Sequence, residues 1–229
     1  MVSLSPDGNA RRTADAVRYV VIRKLAAGLR HGMLGDLQTI ELTAELCTRM
    51  LETGRPVEEV RTQVSRIPAQ TKVAAATCRS MVEWLRPEES SVTRVADALD
   101  DCLRFVGDDW MLRGIATNVY MSESARDATV FRHSLCELIV TSLFALVDRH
   151  SSALDIELNA ELIDGHVKLE VQARASHRNP SLVFAPVYGA LDWEDLLVLA
   201  DACGVSCVCD RDRELITLSF QRQSPAVPT

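Results

Sequence analysis

From Thr13 to Glu52 the chain runs without a proline, and apolar residues return every three or four positions: Val17, Val21, Leu25, Leu29, Met33, Leu37, Ile40, Ala44, Cys47 and Leu51. That period marks one face of an α-helix, here about 40 residues and roughly 60 Å long. Gly54 and Pro56 then supply a helix stop and a helix start. Residues 57–85 resume the pattern through Val60, Val64, Ile67, Val73 and Met81, with Pro68 expected to kink or interrupt it by removing a backbone donor. Two such helices cannot bury their apolar stripes on each other alone, which predicts a four-helix bundle built from two copies of the chain.

After the polar stretch 86–91 the pattern changes. A helix is expected at 92–106, a strand around Ile115–Met121, and a strongly apolar helix across 128–149. Residues 154–158 and 167–173 alternate with period two and meet around Asp164 and Gly165, a hairpin signal. An irregular stretch at 176–190 precedes a helix at 191–203 that Gly204 closes. Residues 205–209 and 214–220 form a last hairpin, and 224–229 reads as a disordered tail. The fold class is therefore α+β, with an antiparallel helical hairpin at residues 1–88. An α/β domain at 89–229 follows, its helices on one face of a mostly antiparallel sheet.

Composition narrows the partners. The chain has 229 residues, 47% of them hydrophobic and 25% charged, as expected for a folded soluble protein. Its formal net charge of -7 argues against a nucleic-acid partner. Charges interrupt every long apolar stretch, so neither a membrane span nor a signal peptide is expected and the cytoplasm is the expected location. Seven cysteines without a framework spacing read as buried reduced thiols. Cys203, Cys207 and Cys209 lack an evident fourth ligand and are expected to be buried, so no metal is assigned. His133, His150, His166 and His177 read as capping or solvated residues, and Glu137 and Asp148 lack a paired carboxylate for acid–base work.

His31 is different. Ala27 and Gly28 lie one turn before it, Gly32 beside it and Gly35 one turn after. A glycine inside a helix costs roughly 1 kcal/mol relative to alanine. Three of them between 28 and 35 either clear space for a partner to approach the imidazole or let two helices pack closely. Arg11, Arg12, Arg18, Arg23, Lys24 and Arg30 make this helix basic within an acidic chain, either a solvated face or a complement to an acidic partner.

Residues 29–40, Leu-Arg-His-Gly-Met-Leu-Gly-Asp-Leu-Gln-Thr-Ile, resemble the phosphoacceptor box of two-component histidine kinases and of the histidine phosphotransferases of bacterial phosphorelays. The element order of the second half resembles the kinases' Bergerat-type ATP-binding sandwich. The resemblance implies a homodimer in which His31 accepts a phosphoryl group. It also implies partner contacts through Lys24, Ala27, Gly28, Arg30, Gly32, Gly35 and Gln38. Response-regulator receiver domains, or a hybrid histidine kinase, are the implied partners.

The departures from the kinase pattern shape the function. Residues 137–142, Glu-Leu-Ile-Val-Thr-Ser, fall where the family carries an Asn-Leu-x-x-Asn-Ala box, which puts Thr141 at the magnesium-binding position. Ala173, Ala175 and His177 take the positions of the adenine-binding Asp-x-Gly-x-Gly box, and no glycine-rich lid follows. A Bergerat-like sandwich without a nucleotide site is expected, with no cofactor and with magnesium only on the partner receiver. Gly32 and Gly35 replace the residues that in kinases assist attack on ATP and position water. The expected function is a phosphohistidine relay between receivers through His31, not an ATP-dependent kinase. The alternative is a non-catalytic adaptor that regulates a kinase or a response regulator.

Overall fold

A computed structural model describes residues 6–85, 91–178 and 189–224, without side chains at 6–10, 27–29, 31, 80, 81, 83–85, 108, 109, 111 and 112. The chain divides into two compact units. Residues 26–87 form one; those up to 25 and from 88 onward form the other. The domain boundary expected at 88/89 lies outside the described residues.

The smaller unit is built from the long helix α1 (Pro6–Glu52) beyond residue 25, α2 (Val57–Val64) and α3 (Ile67–Leu85). Helix α1 ends where Gly54 takes φ +68°, a left-handed conformation that costs glycine little. There Arg55 N–H donates to Met50 O (2.9 Å) and Gly54 N–H to Leu51 O (3.1 Å), which satisfies two of the last carbonyls. Pro68 does not kink a helix. The break comes before it, at residues 65–66, and Pro68 sits in the first turn of α3, where its missing donor has no intrahelical partner to lose. Cys47, Val60 and Ala74 are buried in this unit. In contrast, Leu34, Leu37, Leu42, Leu46 and Leu51 remain 45–64% exposed.

The larger unit is a mixed α+β layer. Its sheet has the order β2-β4-β5-β7-β6, from β2 (Ala116–Met121), β4 (Leu154–Ile163), β5 (His166–Ala175), β7 (Leu215–Gln221) and β6 (Ser206–Asp210). Strands β2 and β4 run parallel and the other neighbours antiparallel. Register places Val171 between Leu158 and Ile216 on one buried face, while Glu157, Gln172 and Leu215 occupy the other. The β4–β5 turn has φ +48° at Asp164 and +76° at Gly165, the two positive values of a tight hairpin turn.

Helices α4 (Val95–Leu112), α6 (Arg132–Val147) and α7 (Trp193–Ala202) cover the buried face, and a short α5 (Glu123–Arg126) leads out of β2. Both expected helix starts shift inward here. Val92–Arg94 forms β1 and Thr129–Phe131 forms β3, antiparallel partners in a separate two-stranded sheet. β-Branched residues and phenylalanine in register outweigh the local helical period. Every residue of α6 from Leu135 to Val147 is buried, and Trp110 of α4 meets Phe144 edge to face at 6.3 Å. Among the described residues no helix is long and apolar enough to cross a membrane. Most of the irregular stretch 176–190 and the tail after 224 lie outside the described residues.

Two glycines test this backbone reading in opposite directions. Gly165→Ala forces a side chain into the left-handed region and should lower stability by about 1 kcal/mol. Gly107 lies within α4, where an added Cβ meets no atom within 4 Å. Gly107→Ala should therefore raise stability by about 0.5–1 kcal/mol. Urea unfolding of both variants checks the pair.

Candidate functional site

Helix α1 carries the predicted acceptor on an unbroken run from Pro6 to Glu52. His31 is helical; its side chain, like those of Ala27 and Gly28, lies outside the described residues. Around it the helix is open. An added Cβ at Gly32 or Gly35 would meet no atom within 4 Å, and Arg30, Leu34, Gly35 and Gln38 are exposed. Of the two readings of these glycines, clearance rather than close packing within the chain fits this geometry.

Lys24 corrects the expected set of contact residues. It does not face a partner; its ammonium lies 2.8 Å from Asp148 Oδ2, with side chains 7% and 2% exposed. The same oxygen accepts the Leu191 N–H at 3.0 Å, and Lys24 stands 5.4 Å above the Phe144 ring. Asp148 caps the C-terminal end of α6, where the helix dipole disfavours an anion, and the buried ammonium offsets both charges.

One turn and a half earlier, Arg18 Nε donates to both oxygens of Glu137, at 3.0 and 3.2 Å, while Nη1 reaches Asp15 at 3.0 Å. Burial works against the Arg18 charge, but Glu137 and Asp15 outweigh it and hold the guanidinium above its ordinary range. His133 Nε2 lies 3.3 Å from Glu137 Oε1, and the Cys203 S–H reaches Oε2 at 3.6 Å. The Cys203 thiol is pushed up to about 11, by burial first and by Glu137 second, so it stays protonated and has no nucleophilic role. The Thr141 hydroxyl donates to the Glu137 carbonyl at 2.7 Å.

Glu137, Thr141, His133 and Cys203 thus form a polar seam across α6 and α7, closed by Arg18 from α1. The histidines expected at the surface are engaged: His133 with Glu137, and His150 Nε2 with Glu214 Oε2 at 3.0 Å. A signal for the seam was present in the sequence. A single carboxylate inside a continuous apolar run needs a buried partner, although spacing alone does not name it.

No protein-family description and no curated protein matches the chain. Among solved structures it is similar to a histidine kinase from Burkholderia phymatum, with 17% identity over 91% of this chain and 96% of that one, TM-score 0.43. A bacterial phosphotransferase matches with 14% identity over 96% and 98%, TM-score 0.41. The Acinetobacter baumannii histidine kinase AdeS matches with 12% identity over 82% and 98%, TM-score 0.43.

Lys24→Met should strand Asp148 in the interior and lower stability by about 3 kcal/mol, read from urea unfolding. Arg11→Met, on the exposed side of α1, should change it by less than about 0.5 kcal/mol.

Proposed function

We propose that this chain is a histidine phosphotransferase that carries a phosphoryl group between response-regulator receiver domains through His31, without nucleotide. The observation that carries the reading is the open stretch of α1 around His31, where Gly32 and Gly35 leave space that a side chain would fill. A receiver's aspartyl phosphate must come within bonding distance of the imidazole, and bulk at either position would stand in its way.

The chemistry needs little from this protein. A neutral imidazole nitrogen attacks the phosphorus in line; the N–P bond forms as the acyl phosphate P–O bond breaks, and the aspartate carboxylate leaves. The second transfer reverses these steps onto another receiver. The attack requires the neutral imidazole, the form with a free nitrogen lone pair. Arg11, Arg12, Arg23 and Arg30 are exposed along the same helix and suit an acidic partner surface. In the polar seam the Thr141 hydroxyl is bonded to its own helix, and Glu137 is engaged by Arg18.

A homodimer belongs to the same proposal. The exposed leucines of α1 beyond residue 25, Leu34, Leu37, Leu42, Leu46 and Leu51, are the apolar surface that a second copy would cover. Light scattering at micromolar concentration should give about twice 25.3 kDa, and Leu37→Glu combined with Leu51→Glu should shift it toward the single-chain mass. A wild-type mass near 25.3 kDa contradicts the dimer.

The relay is tested by incubating the full-length protein with a panel of radiolabelled phospho-receivers, wild type beside His31→Ala. Acid-labile, base-stable label on the wild type alone is expected, with loss of at least about a hundredfold in the variant. Receiver binding without label on either protein would replace the relay by the adaptor reading.

A further inference from the structure

Cys207 and Cys209 lie two residues apart on β6, the strand that closes one end of the five-stranded sheet and pairs only with β7. Residues two apart share a face. Their register opposite Leu218 and Ile216 puts both thiols on the helix-covered side. Neither is sealed there, since both are half-buried, in contrast to the fully buried Cys102. Their sulfurs stand 3.9 Å apart. Val208 between them points the other way and is exposed.

Two chemistries use such a pair, and distance separates them. A disulfide needs sulfurs about 2.05 Å apart and Cβ atoms about 3.8 Å apart. Same-face neighbours on a strand are spaced about 6.8 Å along it. Closing the bond therefore requires the sulfurs to approach by nearly 2 Å and the strand to buckle. With the zinc–sulfur length of about 2.3 Å as the scale of a metal–thiolate bond, two thiolates on one ion span at most about 4.6 Å. The sulfurs then open by about 0.7 Å at most, within reach of side-chain rotation. Zinc is a poor occupant, since it takes four ligands. Among the described residues no group of three or more His, Cys, Asp or Glu could hold a metal. Two soft thiolates, with no third such ligand beside them among the described residues, suit a cation that accepts two ligands.

We propose that Cys207 and Cys209 form a two-thiolate site for a soft monovalent cation of the copper(I) class. Binding releases the two S–H protons and forms two sulfur–metal bonds, leaving a bis-thiolate complex of net charge -1; no electron is transferred. This replaces the three-cysteine cluster considered from sequence: Cys203 turns to Glu137, and the remaining two face each other.

The test uses the reduced full-length protein in a Cys78→Ser background, because Cys78 is exposed and would bind the ion by itself. Copper(I) is titrated anaerobically against a chromophoric chelator. One equivalent per chain is expected, with affinity reduced more than about tenfold by Cys207→Ser or Cys209→Ser and unchanged by Cys203→Ser. Cys207→Ala gives a second reading, and thermal melting of each variant separates lost binding from lost folding. Affinity unchanged from the parent in either single variant overturns the site, as does a parent protein that takes up no ion. A Cys207–Cys209 disulfide formed in air without ion uptake overturns it too.

Discussion

Helix α6 has no side for water. Every residue from Leu135 to Val147 is buried, so the helix has to be covered on all sides before the larger unit is stable. The sheet and the helices α4 and α7 supply part of that cover; the first part of α1 adds Ala14, Val17, Val21 and Leu25, all buried. Apolar cover alone would let α1 slide or rotate. Arg18 on Glu137 and Lys24 on Asp148 fix its register, because any other setting leaves a buried charge alone.

That constraint divides the basic residues of α1 by role. Arg18 and Lys24 serve the interior of the larger unit. Arg11, Arg12, Arg23 and Arg30 are exposed. It also gives the polar seam of α6 its meaning. Glu137 is no acid or base in waiting, since Arg18, His133 and Cys203 already engage its two oxygens. Chemistry, under the proposed reading, is left to α1 and to whatever receiver approaches it.

Much of the fold was legible because its signals are local. The end of α1 at Glu52, the period-two strands, the Asp164-Gly165 turn and the Gly204 helix stop each follow from residue type and spacing, whereas α1 begins at Pro6, seven residues before the expected start. What stayed hidden depends on distant partners. The short runs at 92–94 and 129–131, mostly β-branched or aromatic, become strands only because they meet each other. The parallel pairing of β2 with β4 is likewise invisible from either strand alone. The same limit misassigned Lys24: a lysine on a basic helix reads as surface until Asp148, over a hundred residues away, is seen to lie beneath it. His31, in contrast, stood out through its glycines, whose helical cost asks for a compensating reason wherever the helix packs.

The most direct measurement is a calorimetric titration of magnesium-ATP into the full-length protein. If α6 has given up nucleotide chemistry for the Arg18–Glu137 seam, no saturable heat is expected up to about 1 mM ligand. Saturable binding at micromolar concentration would contradict that, and with it the view of this chain as a phosphoryl relay that draws only on its partners.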